Sequence, residues 1–235
     1  AAQLDGVHDS ARVVGEGISA MLSGRPGPVI FELPEDVLDV ELPANVKAVI
    51  VEAVPERLEL KRELFGRLGE IAPDAILASN TSSIPIAQIA SWTKDPTRVL
   101  GLHFFSPVPV MKLVEVVRGI DTSDEVVREA EAFALQLGKQ PVRTKDRSGF
   151  IVNMLLVPYL MSGIRMYEDG FATREDIDKG MKLGCGHPMG PLELADFIGL
   201  DVMYAIGQSL YEEFKRPDFA PPPLLKRMVV SGHFG

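Results

Sequence analysis

The sequence predicts an α/β chain: a mostly parallel sheet interleaved with helices, followed by a region of helices alone. Short apolar runs of the kind covered on both faces of a parallel sheet recur after residue 46. Helical segments separate these runs, and the β patterns stop after Ser148-Gly149. At 235 residues, 46% hydrophobic and 24% charged, the chain can bury a sizeable core, and its composition excludes a disordered or fibrous protein. The net charge of −9 argues against a nucleic-acid partner.

The elements follow in order. Ala48-Val49-Ile50-Val51 reads as a buried strand, and Pro55 as the first turn of a helix over 55–68 with Leu58, Leu64, Phe65 and Leu68 on one face. Ile76-Leu77-Ala78 is a strand, 84–89 a short helix, and 99–102 and 113–117 are further strands. Ser123 caps a helix over 123–137 that Gly138 ends, and Pro141-Val142-Arg143 is a last strand. The apolar stretch 151–164 is broken by Asn153, Pro158 and Ser162. It is too short for a bilayer, so 150–167 is expected to be a buried helix kinked at Pro158. Thr173 with Asp176 resembles a capping pattern for a helix over 173–183. Residues 191–214 read as mostly helical, Pro221-Pro222-Pro223 stops that run, and 224–230 is a short final helix. Expected domains are thus 46–147 and 148–235, preceded by a segment over 1–45. That segment has a helical pattern at 11–22 and a β-rich run at 29–33 between proline turns. No basic then apolar leader pattern opens the chain, so no secretory signal is expected.

Four histidines and one cysteine limit the candidate chemistry. A single thiol, Cys185, excludes a disulfide framework and suits a reducing compartment. Cys185 and His187 share a loop but have no second ligand pair, so no metal site is expected. His8 and His233 lie in polar or glycine-rich surroundings and read as solvated. His103 ends a strand, where ligands of open α/β sheets gather, and Glu115 is an acid inside an apolar strand. On neighbouring strands the two would form a dyad in which the carboxylate orients the imidazole. The plainer alternative is a packed histidine and a solvent-facing edge glutamate. The polar run Ser79-Asn80-Thr81-Ser82-Ser83 either binds a polar ligand or, more simply, caps the next helix. Asn153 needs a hydrogen-bond partner inside its apolar helix, a substrate carbonyl being one candidate.

Over 46–235 the sequence resembles the 3-hydroxyacyl-CoA dehydrogenases, especially the short-chain 3-hydroxybutyryl-CoA type. Five ordered stretches carry the likeness: Val51-Glu52-Ala53-Val54-Pro55-Glu56; Ala78-Ser79-Asn80-Thr81-Ser82-Ser83; Gly101-Leu102-His103-Phe104-Phe105-Ser106-Pro107-Val108-Pro109; Gly149-Phe150-Ile151-Val152-Asn153; and His187-Pro188-Met189-Gly190-Pro191. The resemblance implies an incomplete Rossmann-like, mostly parallel sheet with an all-helical C-terminal domain, and an oxidoreductase of short-chain (S)-3-hydroxyacyl-CoA using NAD or NADP. By resemblance His103 is the general base, Glu115 holds it, Ser82 bonds the substrate oxygen beside the nicotinamide, and Asn153 positions the acyl group. Glu56, Lys61, Ser82 and Ser106 would contact the cofactor. Ser106 stands where the family usually has Asn. A cytoplasmic homodimer, joined through the helical domain and needing no membrane, is implied. The alternative is a catalytically inert remnant, since superfamily members also serve as structural proteins.

Residues 15–20 offer a G-x-G-x-x-A with Glu32 downstream, but the spacing leaves too little chain for a crossover helix. Residues 11–39, with Gly24-Arg25-Pro26-Gly27-Pro28 and Leu33-Pro34-Glu35-Asp36-Val37, instead resemble the end of the pyrimidine-binding domain of thiamine-diphosphate enzymes. The chain is therefore expected to be a joined or truncated product without the glycine-rich cofactor loop and the tail of the dehydrogenases.

Overall fold

The structure, a computed structural model, describes residues 48–235. The helix expected over 11–22, the run at 29–33, the G-x-G-x-x-A reading and the thiamine-enzyme resemblance lie outside the described residues. Chain contacts divide the molecule between Arg147 and Ser148 into two units.

In the first unit the order is β1 (Val49–Glu52), α1 (Leu58–Ile71), β2 (Ile76–Ser79), α2 (Ile86–Ala90), β3 (Val99–Phe104), β4 (Leu113–Arg118), α3 (Asp124–Gln136) and β5 (Gln140–Lys145). The strands lie side by side in chain order, parallel except for the antiparallel pair β3–β4. This is the mostly parallel sheet that the alternating pattern predicts. One face packs Leu100, Leu102, Val114 and Val116 against Val127, Ala130, Phe133 and Ala134 of α3. Leu100, Leu102, Val114 and Val116 are fully buried, each such side chain being worth about 1.5–3 kcal/mol of transfer free energy. Gly101 permits close approach, because a Cβ there would fall 2.8 Å from Val117 Cβ and 3.0 Å from Ile86 Cδ1 of α2.

Two local expectations are corrected. The helix after β1 starts at Leu58 rather than Pro55, with Arg57 N donating to Pro55 O in a preceding turn. The Glu52 carboxylate accepts Val54 N at 2.6 Å and holds that connection out of the helix. Leu58 is consequently exposed, and the buried stripe is Lys61, Phe65, Leu68 and Gly69. The second correction concerns Ser79–Ser83, which does not cap α2. The cap comes from Asp146 beyond β5, whose Oδ1 and Oδ2 accept Ile86 N at 2.8 Å and Ala87 N at 2.7 Å.

The second unit contains α4 (Val152–Glu168), α5 (Arg174–Cys185), α6 (Pro191–Ile198), α7 (Leu200–Phe214) and α8 (Pro223–Val230). Its core joins Leu160, Met161 and Ile164 of α4 to Leu192, Met203, Leu210, Phe219 and Leu225. Thr173 accepts Asp176 N and donates to its carboxylate, the expected cap of α5. The long helical run over 191–214 is broken at Gly199, whose φ of +103° continues neither helix. Asp178, buried in α5, accepts Leu192 N at 2.8 Å and Glu193 N at 3.0 Å and so starts α6. Among the described residues no helix is long and apolar enough to cross a membrane.

Candidate active site

His103 and Glu115 are directly opposite each other in the β3–β4 register. An opposed antiparallel pair presents both side chains on the same face within contact range. Here His103 Nδ1 lies 2.7 Å from Glu115 Oε2. Glu115 is fully buried and His103 nearly so. The solvent-facing edge glutamate is thereby excluded: β4 is flanked by β3 and β5, and the acid points inward. A carboxylate only accepts, so the Nδ1 facing it carries the hydrogen, and Nε2 is left with its lone pair outward. Ser82 Oγ lies 3.0 Å from that nitrogen. The Phe105 ring meets the imidazole edge-on, with centroids 4.6 Å apart. Asn80 Oδ1 accepts Phe104 N at 2.8 Å and pins the end of β3.

The loop carrying Ser82 is held from beneath. Glu56 Oε1 accepts Thr81 Oγ1 and Ser82 N, both at 2.8 Å. Thr81 Oγ1 in turn accepts Ser83 N and Ile84 N. Lys61, which occupies an apolar stripe, aims its buried ammonium at Glu52 (2.7 and 2.9 Å), at Val54 O (3.3 Å) and at Glu56 Oε2 (3.4 Å). The Glu56 side chain is about two-fifths exposed (41%), so it presents a carboxylate at the carboxyl rim of the sheet. Ser106, exposed, follows β3 in the loop toward β4. Lys139 closes that loop by donating to Val108 O and, at 2.9 Å, to Met111 O.

The first unit therefore gathers His103, Glu115, Ser82, Glu56 and Lys61 into one hydrogen-bonded group. Asn153 belongs to the second unit, where it is buried in the first turn of α4. In that unit Tyr159 Oη pairs with His187 Nδ1 at 3.1 Å, and burial is the main cause that raises the Tyr159 phenol above its ordinary value. Cys185 is exposed, and no group of three or more His, Cys, Asp or Glu among the described residues could hold a metal. The motifs contain Glu52 and Asn80 without giving either a role of its own, and Asp146 lies in none of them. Glu52 had a visible signal related to the one that marks Glu115: an acid at the end of an apolar run, where Glu115 lies inside one.

A Rossmann-like sheet whose carboxyl rim bears a hydroxyl, an imidazole and a buried carboxylate in series has the makings of an enzyme site, with a candidate base where open α/β sheets bind their ligands. Comparison with known proteins specifies it. The family models described as 3-hydroxyacyl-CoA dehydrogenase, NAD binding domain, and 3-hydroxyacyl-CoA dehydrogenase, C-terminal domain, match residues 37–147 and 149–235. The chain is 55% identical over 192 residues to a 3-hydroxybutyryl-CoA dehydrogenase of Mycobacterium tuberculosis, spanning 80% of this chain and 67% of the relative. It resembles the crystal structure of M. tuberculosis FadB2, with a TM-score of 0.80 and 45% identity, covering 97% of this chain and 83% of the other. It also resembles (S)-3-hydroxybutyryl-CoA dehydrogenase PaaH1 from Ralstonia eutropha, with a TM-score of 0.78 and 36% identity over 97% and 83% of the two chains. The chain belongs to the 3-hydroxyacyl-CoA dehydrogenase family.

Proposed function

We propose that this chain interconverts a short-chain (S)-3-hydroxyacyl-CoA and the corresponding 3-oxoacyl-CoA, with NAD as the redox partner. The observation that carries the reading is the series Ser82 Oγ, His103 Nε2, His103 Nδ1 and Glu115 Oε2, joined at 3.0 and 2.7 Å, in a chain of this family. Relatives named as dehydrogenases support turnover and lend no support to an inert remnant.

In the oxidising direction His103 Nε2 takes the proton of the 3-hydroxyl, and Glu115 holds the ring and faces the imidazolium that forms. Ser82 hydrogen-bonds the same substrate oxygen and stabilises the carbonyl as it develops. In the reducing direction His103 returns the proton to that oxygen. Asn153 is assigned to the acyl group, and residues 148–235 to the substrate wall and the homodimer contact. Exposed Leu155, Phe171 and Phe197 in that unit support a contact surface. We assign the cytoplasm as its location.

The residues present suit a nicotinamide nucleotide. The rim carboxylate of Glu56 can accept ribose hydroxyls, and the Ser82 and Ser106 hydroxyls can bond the nicotinamide end. The buried Lys61 steadies Glu56. When bound, that cofactor supplies the hydride acceptor or donor for C3 of the substrate. The test is to mix the purified chain with acetoacetyl-CoA and NADH and follow NADH absorbance. Consumption dependent on both substrates is expected. A folded protein that consumes none overturns the reading.

A further inference from the structure

Glu52 is buried at the end of β1, and the contacts that hold Thr81 and the Ser82 backbone N–H lead back to it. Its Cα is the register partner of Ser79 in the β1–β2 pair. Its buried carboxylate accepts Val54 N at 2.6 Å, Lys61 Nζ at 2.7 and 2.9 Å, and Ser79 Oγ at 2.7 Å. Two routes run from it to the catalytic loop. One passes from the Lys61 ammonium to Glu56, whose other oxygen takes Thr81 Oγ1 and Ser82 N. The other passes through Ser79, whose Oγ accepts Thr81 N at 3.2 Å. Both end at the residue pair that sets Ser82 Oγ 3.0 Å from His103 Nε2.

We infer that Glu52 is a positioning residue, which through Lys61 and Ser79 sets the Ser82 hydroxyl against His103. A buried ion pair is a poor device for stability alone, because desolvation offsets most of its Coulomb gain. Its effect here is directional. With Glu52 neutral, Lys61 keeps a buried charge whose remaining carboxylate is Glu56. The ammonium then draws Glu56 Oε1 away from Ser82 N, and the loop loses its register with the imidazole. Displacement of a catalytic hydroxyl by about 1 Å is enough to cost up to ~10²-fold in rate.

The inference rests on the roles assigned to Ser82 and His103, so the test reads geometry as well as turnover. Crystal structures and steady-state kinetics are compared for the wild-type protein, Glu52→Gln, Glu52→Asp and Glu52→Gln/Lys61→Met. In Glu52→Gln the Ser82–His103 separation should pass beyond hydrogen-bond reach and kcat should fall about 10-fold or more, with KM for acetoacetyl-CoA little changed. Glu52→Asp, which keeps the charge, should recover most of kcat. The double variant, freed of the stranded ammonium, should recover Tm but not kcat, and it carries the same readouts if Glu52→Gln does not fold. A wild-type Ser82–His103 separation in the neutral variants, or recovery of Tm and kcat together, overturns the inference. If the wild-type protein turns over no acetoacetyl-CoA, the functional reading fails, and the crystallographic separation alone decides the role of Glu52.

Discussion

His103 and Glu115 occupy facing positions across the β3–β4 pair, 2.7 Å apart between Nδ1 and Oε2. The reversal at β4 makes the contact a property of the backbone register: in the antiparallel pair the side chains start on the same face at short Cβ separation. The connection between the two strands leaves from the His103 end, where Lys139 ties down the Val108 and Met111 carbonyls. The imidazole is thereby oriented from below by the acid while Nε2 faces Ser82.

Replacing His103 by Gln tests the base without abandoning Glu115 to an unpaired burial. The amide can still donate to the carboxylate but cannot take the substrate proton. NADH-linked turnover should fall about 10²-fold or more while Tm changes little. Glu115→Gln keeps the shape and removes the charge facing the imidazolium, so its loss should be smaller, on the order of 10-fold. Because the two act as one unit, the double variant should be hardly worse than His103→Gln alone. Losses that multiply would mean that the residues act independently, and near-normal turnover in His103→Gln would remove it as the base.

Much of this site was legible in the residues, for a physical reason. A histidine ending a strand and an acid inside Leu113-Val114-Glu115-Val116-Val117 are each locally costly choices, and local cost is visible in one dimension. What the residues alone left open was register, which decided between a buried pair and an edge glutamate. Lys61 shows another limit. It lies outside the apolar face that the residues offer, Leu58, Leu64, Phe65 and Leu68, and its burial requires Glu52 and Glu56 to be near, which only the fold reveals. Pro55 suits a first helical turn, yet α1 starts only at Leu58, because the Glu52 carboxylate holds Val54 outside the helix. The cap of α2 comes from a residue 60 positions downstream of Ile86, beyond any local motif.

Asp146 offers a stability test remote in sequence from what it supports. Its two oxygens satisfy two amide donors at the start of α2, and Ile86 and Ile89 of that helix are fully buried. Asp146→Ala leaves both donors unpartnered and should cost about 1–2 kcal/mol. For a chain of this size that lowers Tm by roughly 2–8 °C in thermal unfolding. An unchanged Tm would show that the carboxylate contributes no cap.

The Glu131–Arg143 pair between α3 and β5 sets a pH dependence. The Arg143 hydrogen bonds hold the Glu131 carboxyl below its ordinary value, partly opposed by burial. The folded carboxyl is thus more acidic than the unfolded one. Its stabilisation is present above the unfolded pKa, about 4.3, and is lost as pH falls through the folded value. Glu131→Gln should therefore melt about 1–2 °C below wild type at neutral pH, a modest effect because the pair is largely solvated. The two curves should converge in acid below the ordinary carboxylate range. A deficit that persists there would trace the effect to packing instead.

Ser106 is the departure from the family pattern and predicts a gain. It lies exposed in the loop after β3, three positions beyond His103, where the resemblance places an Asn against the nicotinamide end of the cofactor. A serine hydroxyl reaches less far than a carboxamide and supplies fewer donors. Ser106→Asn should add about one net hydrogen bond to the bound cofactor, worth roughly 0.5–1.5 kcal/mol, a factor of about 2–10 in affinity. The exposed position should tolerate the larger side chain, with Tm unchanged. Titrating NADH against protein fluorescence and measuring KM for NADH in both proteins reads the effect directly. Equal affinities would show that residue 106 does not contact the cofactor, and weaker binding in Ser106→Asn would show that this loop fits the cofactor only with the smaller side chain.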